Sequence, residues 1–122
     1  MSLLFVNGTL MRGLALHDNL AGATFLAEIM TAPAYRLFSI GDRHPGMFRD
    51  DLHGVAIEGE LYEVPPDVLA RVEAGEPAHL YIGTVELEDG RVVPGVLYPQ
   101  EQALQHTEIT KLRGWRAWVS RR

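Results

Sequence analysis

Two short segments, far apart in the chain, carry the residues best suited to chemistry. The first is an apolar run, 3–6, that leads into Asn7, Gly8, Thr9 and Leu10. A buried strand that stops at glycine leaves backbone N–H groups without ladder partners, and glycine lets a ligand approach them. Such a turn can bind a carboxylate or stabilise an oxyanion. The alternative is an ordinary Asn-Gly turn after a strand.

The second segment centres on Glu76, which stands between Gly75 and Pro77. Gly75 is expected to end a helix and Pro77 restricts the residue before it, so the direction of the Glu76 side chain is constrained on both sides. A carboxylate fixed in a partly apolar cleft has a raised pKa and can take and return a proton near neutral pH. The other carboxylates are expected on exposed strand faces or at a hairpin tip. Among them, Glu60 is the next candidate for the acid if Glu76 does not have this role.

Other catalytic chemistries have little support in the sequence. No serine has the glycine-flanked setting of a nucleophile, and no phosphate-binding glycine pattern occurs. Cysteine is absent, which removes thiol chemistry and thiolate metal sites. We therefore expect neither a metal site nor a cofactor. The histidines lack metal-ligand spacing, and each is expected at the surface or in a loop: His17, His44, His53, His79 and His106.

The bulk properties are those of an ordinary globular protein. The length of 122 residues, with 47% apolar and 22% charged residues, predicts one domain over 1–122. A net charge of −5 argues against a general nucleic-acid binder, which needs a basic face. No apolar run is as long as a membrane span, and the opening residues lack the basic start of a signal peptide. Together with the absence of cysteine, this predicts a cytoplasmic location.

The elements that must position these residues are mostly strands. Pro65 and Pro66 open a helix that ends before Gly75, and Asp89-Gly90 predicts a hairpin. Many strands with little helix predict an α+β domain with a largely antiparallel, barrel-like sheet. Strands are predicted at 3–6, 23–30, 35–40, 55–64, 81–87 and 92–98, and helical or turn segments at 16–20, 101–105 and 110–119.

Two tryptophans, Trp115 and Trp118, stand near the end of the chain. At a spacing of three they share one face of a helix, which predicts a hydrophobic clamp that packs the end of the chain onto the sheet. The alternative is an aromatic platform for a ligand.

Several segments resemble the γ-glutamylcyclotransferase-like proteins. Segment 5–10 is similar to the Tyr-Gly-Ser-Leu turn of that family, and 72–77 is similar to its Leu-Asp-x-x-Glu-Gly segment, which supplies the functional acid. The resemblance implies a small barrel-like fold, Glu76 as the catalytic acid–base, the turn from Asn7 to Leu10 as the substrate anchor, and Tyr81 as a further binding residue.

Other segments resemble the C-terminal domain of allophanate hydrolase more closely: 31–37, 82–91, 109–110 and 114–117. That domain shares the cyclotransferase-like fold but accompanies an amidase domain, and its pattern lacks a glutamate at the position of Glu76 and a tyrosine at that of Tyr81. The chain also departs from the cyclotransferase pattern, with Asn7 in place of tyrosine and Pro77 in place of glycine. Both departures bear on the identity of the substrate.

Three functions fit these observations. The leading hypothesis is a cyclotransferase-like enzyme that releases 5-oxoproline from a γ-glutamyl-type amide, with Glu76 as the general acid–base. The second is a stand-alone relative of the allophanate hydrolase domain that acts on or binds a urea- or carbamate-like compound. The third is a non-catalytic binding module. The expected partner is a small molecule with a carboxylate or amide, and either a homodimer or an association with an amidase subunit remains open.

Overall fold

The computed structural model describes residues 2–121, which form eight strands, three α-helices and two 3₁₀ turns. The α+β class with mostly antiparallel strands and few helices is as predicted. In chain order the elements are β1 (Ser2–Val6), the first 3₁₀ turn (His17–Leu20), β2 (Thr24–Met30), β3 (Tyr35–Ile40), β4 (His44–Arg49), β5 (Glu58–Val64), α1 (Pro66–Gly75), β6 (Tyr81–Glu86), β7 (Val92–Leu97), α2 (Gln100–Ala103), β8 (Thr107–Glu108), the second 3₁₀ turn (Thr110–Leu112) and α3 (Trp115–Val119).

The larger sheet has five strands in the order β2–β5–β1–β7–β6. β1 runs parallel to β7, and every other neighbouring pair is antiparallel. The two outer strands approach each other at one end, where Thr31 and Leu87 form an isolated bridge and Ala32 N donates to the Glu86 oxygen at 2.9 Å. The sheet therefore curves as predicted, although it does not close into a barrel.

A second sheet of three strands, in the order β4–β3–β8, contains two strands that the sequence did not predict. The run His-Pro-Gly at the start of β4 has the composition of a turn. Pro45 is nevertheless compatible with a strand here, because β4 is an outer strand of its sheet and a proline in such a strand leaves no ladder bond unmade. β8 has only two residues, too few for a periodic signal.

The core is centred on β1, whose Leu4, Phe5 and Val6 are fully buried. α1 covers one side of this core with Val68 and Val72, which are also buried. Alternating apolar positions in strands and the spacing of four in α1 produce these buried faces. With ten residues α1 is the longest helix of the described chain, and none of these helices is long and apolar enough to cross a membrane.

The end of the chain packs into the same core. Trp115 is 2% exposed and Trp118 is partly buried against the core cluster, in agreement with the predicted clamp. The continuous segment predicted at 110–119 is divided, because Arg113 adopts a left-handed conformation with φ of 62° between the second 3₁₀ turn and α3.

A smaller apolar cluster joins the three-stranded sheet to α2. The rings of Phe38 and Phe48 stack with their centroids 5.5 Å apart, and Tyr98 and Ala103 complete the cluster with Ile40. This packing holds the β3–β4 hairpin beside the end of β7 and thereby fixes one wall of the site described below.

Candidate functional site

The turn after β1 presents three backbone N–H groups without partners. β1 ends at Val6, and the turn that follows is closed by a hydrogen bond from Met11 N to the Gly8 oxygen at 2.9 Å. Within residues 2–121, no hydrogen bond is donated by the backbone N–H of Gly8, Thr9 or Leu10. Buried N–H groups are nearly always paired in proteins, so these three donors are available to an anion or to a carbonyl oxygen.

Asn7 and Gly8 hold this turn against β4. Asn7 is 5% exposed, and its Nδ2 lies 3.2 Å from Met47 Sδ. A Cβ atom on Gly8 would lie only 2.5 Å from Pro45 Cγ. The sequence predicts that Gly8 admits a ligand to the backbone donors. In the structure the close approach of Pro45 is what requires a glycine at this position.

Glu76 follows the last residue of α1 with φ of −71° and ψ of 140°. This extended conformation is the one that a following proline favours, so the predicted constraint on its direction is present. Burial raises the pKa of Glu76 to about 7. Its Oε1 atom is buried and has no hydrogen-bond partner among the described residues. An unpartnered buried carboxylate is disfavoured relative to its neutral form, which is why the pKa rises.

A small cavity brings Glu76 and the turn together. Its volume is about 20 Å³, which is room for about one water molecule or for a group of similar size. The cavity thus contains the predicted acid and all four predicted turn residues. Its full lining is Val6, Asn7, Gly8, Thr9, Leu10, His44, Pro45, Glu76, Leu80 and Val96.

His44 is a member of this cavity that the sequence did not identify. It is 7% exposed, so its predicted place at the surface or in a loop was wrong. Its Nδ1 lies 3.0 Å from the Pro45 carbonyl oxygen, which can only accept, and Nδ1 therefore carries the proton. Burial lowers the pKa of His44, and the nearby His106 and Arg43 act in the same direction. The ring is thus neutral near pH 7, and its Nε2 is an acceptor.

A wider groove of about 760 Å³ adjoins the cavity and shares Thr9 and His44 with it. Its other walls come from the turn between β3 and β4, from residues 77–79 and from the region of α2. A ligand larger than a few atoms can place one group beside Glu76 and extend the remainder into this groove.

Tyr81 is not brought to the cavity. It is the first residue of β6, it is 47% exposed, and it lines neither the cavity nor the groove. The preceding residue, Leu80, does line the cavity, and successive residues of an extended chain point to opposite sides. A binding role for Tyr81 stays a prediction that this geometry does not support.

Glu60, the second candidate acid, is fully occupied by partners. It is 2% exposed, and although burial by itself raises its pKa, the hydrogen bonds that it accepts lower the pKa below its ordinary value. A carboxylate bonded in this way is a structural anion rather than a proton carrier. The donors are Arg12 N at 3.0 Å, Arg12 Nε at 3.2 Å, Tyr62 Oη at 2.8 Å and Arg116 Nη2 at 3.2 Å.

The arrangement can therefore bind a carbonyl or carboxylate oxygen at the turn and exchange a proton through Glu76. The residues that sequence reasoning missed, His44 and Pro45, belong to the unpredicted strand β4. Leu80 and Val96 were missed because only the folded chain brings them to the cavity. In the part of the chain that the structure describes, no group of three or more metal-ligating side chains could hold a metal ion.

Comparison with known proteins gives a family and a fold. The family model of the allophanate hydrolase C-terminal domain matches residues 2–120. Urea amidolyase of Saccharomyces cerevisiae is 35% identical over 124 residues, which cover 94% of this chain and 7% of that protein. The chain thus spans only a small part of this curated relative.

Two solved structures share the fold of this chain. The protein c4763, described as specific to uropathogenic E. coli, is 44% identical with a TM-score of 0.93, and the match covers 98% of this chain and 95% of that one. An AIG2-like protein from Mus musculus is 22% identical with a TM-score of 0.72, over 94% of this chain and 88% of that one. At this identity the second match shows the fold alone.

Proposed function

Since the chain belongs to the family of allophanate hydrolase C-terminal domains, we propose that it is an enzyme for a small amide-type compound. Glu76 transfers a proton at a carbonyl group that the turn at residues 7–10 binds. The observation that carries this proposal is the buried Oε1 of Glu76, which shares a cavity with the turn at residues 7–10. Neither Oε1 nor the N–H groups of Gly8, Thr9 and Leu10 have a hydrogen-bond partner among the described residues. Charged groups with strongly shifted pKa values cluster at functional sites.

In this mechanism the substrate carbonyl oxygen accepts hydrogen bonds from the backbone of Gly8, Thr9 and Leu10. These donors stabilise the negative charge that develops on that oxygen when a nucleophile adds to the carbonyl. With a pKa of about 7, Glu76 is present in both protonation states at neutral pH, so it can accept a proton from the nucleophile and return it to the leaving nitrogen. Nε2 of His44 orients an N–H group of the substrate.

The first substrate class is a urea- or carbamate-like compound. The family and the yeast urea amidolyase support this class. The cavity is compatible with this class, because about 20 Å³ admits one carbonyl oxygen or a group of similar size while the rest of the molecule stays outside. The chain covers 7% of the yeast protein. In this version the functional partner of the chain is an amidase.

The second class is a γ-glutamyl-type amide, and the adjoining groove of about 760 Å³ favours it. The α-amine of the substrate attacks its own γ-carbonyl, which forms the ring C–N bond and breaks the amide C–N bond. Glu76 moves the amine proton to the leaving nitrogen, and 5-oxoproline is released. The proximity of amine and carbonyl within one molecule makes a protein nucleophile unnecessary.

The proposal is tested by turnover of urea, carbamate, allophanate and γ-glutamyl-alanine, followed as release of ammonia or of 5-oxoproline. We expect turnover of at least one compound by the unaltered protein and its loss in Glu76→Gln, which removes the titrating proton at nearly constant volume. Glu73→Gln is the matched control, because Glu73 is an exposed residue near the end of α1, and it should keep the full rate. A Glu76→Gln variant with an undiminished rate would exclude Glu76 as the proton carrier. Binding without turnover of any of the four compounds would instead favour the non-catalytic binding module.

A further inference from the structure

We propose that the groove beside the cavity binds an anionic group of the substrate, and that Arg43 selects compounds that carry a carboxylate or phosphate in addition to the reacting carbonyl. This inference rests on the proposed function, because it defines the substrate class of the same site. The site should therefore bind anionic compounds more tightly than neutral ones such as simple amides.

The charge of the groove wall is the first argument. The chain as a whole is acidic, with 16 Asp and Glu against 11 Lys and Arg, yet no carboxylate is among the described residues that line the groove. Arg43 supplies a permanent positive charge to it instead, and three histidines, His44, His79 and His106, line it as well. A cleft lined by one sign of charge concentrates ligands of the opposite sign.

Arg43 is the available cation in this wall. Its side chain makes no hydrogen bond or ion pair with any residue between 2 and 121, whereas Arg12, Arg36, Arg49 and Arg116 are all paired with carboxylates. A guanidinium presents a planar fork of donors that matches a carboxylate or a phosphate. Arg43 therefore has no structural partner in the described part of the chain and is available to a ligand.

The backbone that carries Arg43 is held in place. Gly41 and Asp42 both have positive φ, 59° and 58°, and Arg43 N donates to the Ile40 oxygen at 3.1 Å to close the turn. The left-handed conformation of Asp42 is supported by two donors to its Oδ1, Ser39 Oγ at 2.6 Å and Trp118 Nε1 at 3.3 Å. A fixed turn loses less entropy when a ligand binds.

Neutral and ionisable donors line the rest of the groove. His79 has a φ of 72° in a turn that Leu80 N closes by donating to the Pro77 oxygen at 3.3 Å, and its ring packs against Tyr98. Gln102 and Gln105 contribute amide groups to the same lining. These groups can donate to an anion that Arg43 attracts, while the Glu76 carboxyl stays in the smaller cavity and does not line the groove.

The test uses two probes of equal size, glutaramate with one carboxylate and glutaramide with none. Their dissociation constants are measured by titration of backbone amide NMR signals in the full chain. We expect glutaramate to bind at least about tenfold more tightly, as one charge-assisted contact allows. In Arg43→Gln this preference should fall to about twofold or less. Lys111→Gln removes one positive charge outside the groove and should leave the preference unchanged. Inorganic phosphate should displace glutaramate, because both present an anionic group to Arg43.

Equal affinities for the two probes, or an undiminished preference in Arg43→Gln, would overturn this inference. The Glu76→Gln variant separates the two proposals, because it should keep the preference for glutaramate while it loses turnover. Turnover that depends on Glu76 without any charge preference would refute the role of the groove alone. A charge preference in a protein that turns over none of the tested compounds would support the groove and refute the proposed function alone.

Discussion

Two glutamates of this small protein, Glu60 and Glu76, have opposite environments, and this contrast supports the roles that we propose for them. Glu60 accepts hydrogen bonds from Arg12, Tyr62 and Arg116, and its pKa is lowered despite its burial. Oε1 of Glu76 has no hydrogen-bond partner within residues 2–121, and burial raises the pKa of Glu76 to about 7. Carboxylates whose environments push their pKa values apart are characteristic of acid–base sites. We therefore propose a structural role for Glu60 and a role in proton exchange for Glu76.

At the residue scale, Gly8→Ala tests the contact between the turn and β4. The new Cβ would lie 2.5 Å from Pro45 Cγ, so the turn must move away. We expect a loss of about 1–3 kcal/mol in the free energy of unfolding, as is usual for overpacking, together with weaker binding of glutaramate. The double variant with Pro45→Ala should recover part of both losses, because it removes the ring that the Cβ meets. Strictly additive effects in the unfolding and binding measurements would contradict this account.

At the scale of elements, α3 supports both sides of the site. Arg116 bonds to Glu60 and to the Arg12 backbone, in the loop that continues from the binding turn. Trp118 donates to Asp42 in the turn that carries Arg43. Besides covering the core, α3 thus connects the loop that follows the turn at residues 7–10 to the turn that carries Arg43.

Truncation after Leu112 should therefore destabilise the whole protein. The loss of Trp115, which is 2% exposed, costs about 3–5 kcal/mol by analogy with other large-to-small changes in cores. Thermal unfolding of the truncated chain gives the effect, and a chain that ends at Ser120, which retains all of α3, is the control. An unchanged melting temperature with weakened ligand binding would show instead that the segment belongs to the binding site.

Locally encoded elements were predictable from the sequence, and those assembled by the fold were not. The sequence pattern located β3 at its observed bounds, and a continuous apolar run located β1 within one residue. The Gly75-Glu76-Pro77 run indicated the end of α1 and the extended backbone of Glu76. β4 was missed because its His-Pro-Gly start has the composition of a turn, and His44 was misplaced for the same reason. The groove could not be predicted, since its walls come from separate loops that meet only in the folded chain.

At the scale of the whole molecule, Glu76 places a limit on stability at alkaline pH. The pKa of Glu76 is about 7 in the folded protein, and its ordinary value is 4.5. Between pH 4.5 and pH 7 the folded state therefore binds a proton that the unfolded state has released. The stability that the folded state gains from this proton is fully present below pH 4.5 and is lost as the pH rises through 7. The shift corresponds to about 3 kcal/mol as an upper figure.

We therefore expect Glu76→Gln, which stays neutral, to be more stable than the unaltered protein at pH 8 and about equal to it at pH 4.5. Thermal unfolding of both proteins at the two pH values measures the difference, with Glu73→Gln as the exposed control. A difference that is the same at both pH values would mean that the Glu76 proton is not linked to folding. Below pH 4 both proteins should lose stability together, because the pKa values of Glu60 and Glu108 are lowered by their hydrogen bonds.

The most direct test of the central claim is a titration of the Glu76 carboxyl carbon by NMR, with Glu76→Gln used to assign its signal. The claim is that burial beside the turn gives this carboxyl a proton that it can exchange near neutral pH. A midpoint near pH 7 is the predicted result. A midpoint near the ordinary value of 4.5 would contradict it, because the carboxyl would then be ionised at neutral pH and could not serve as an acid.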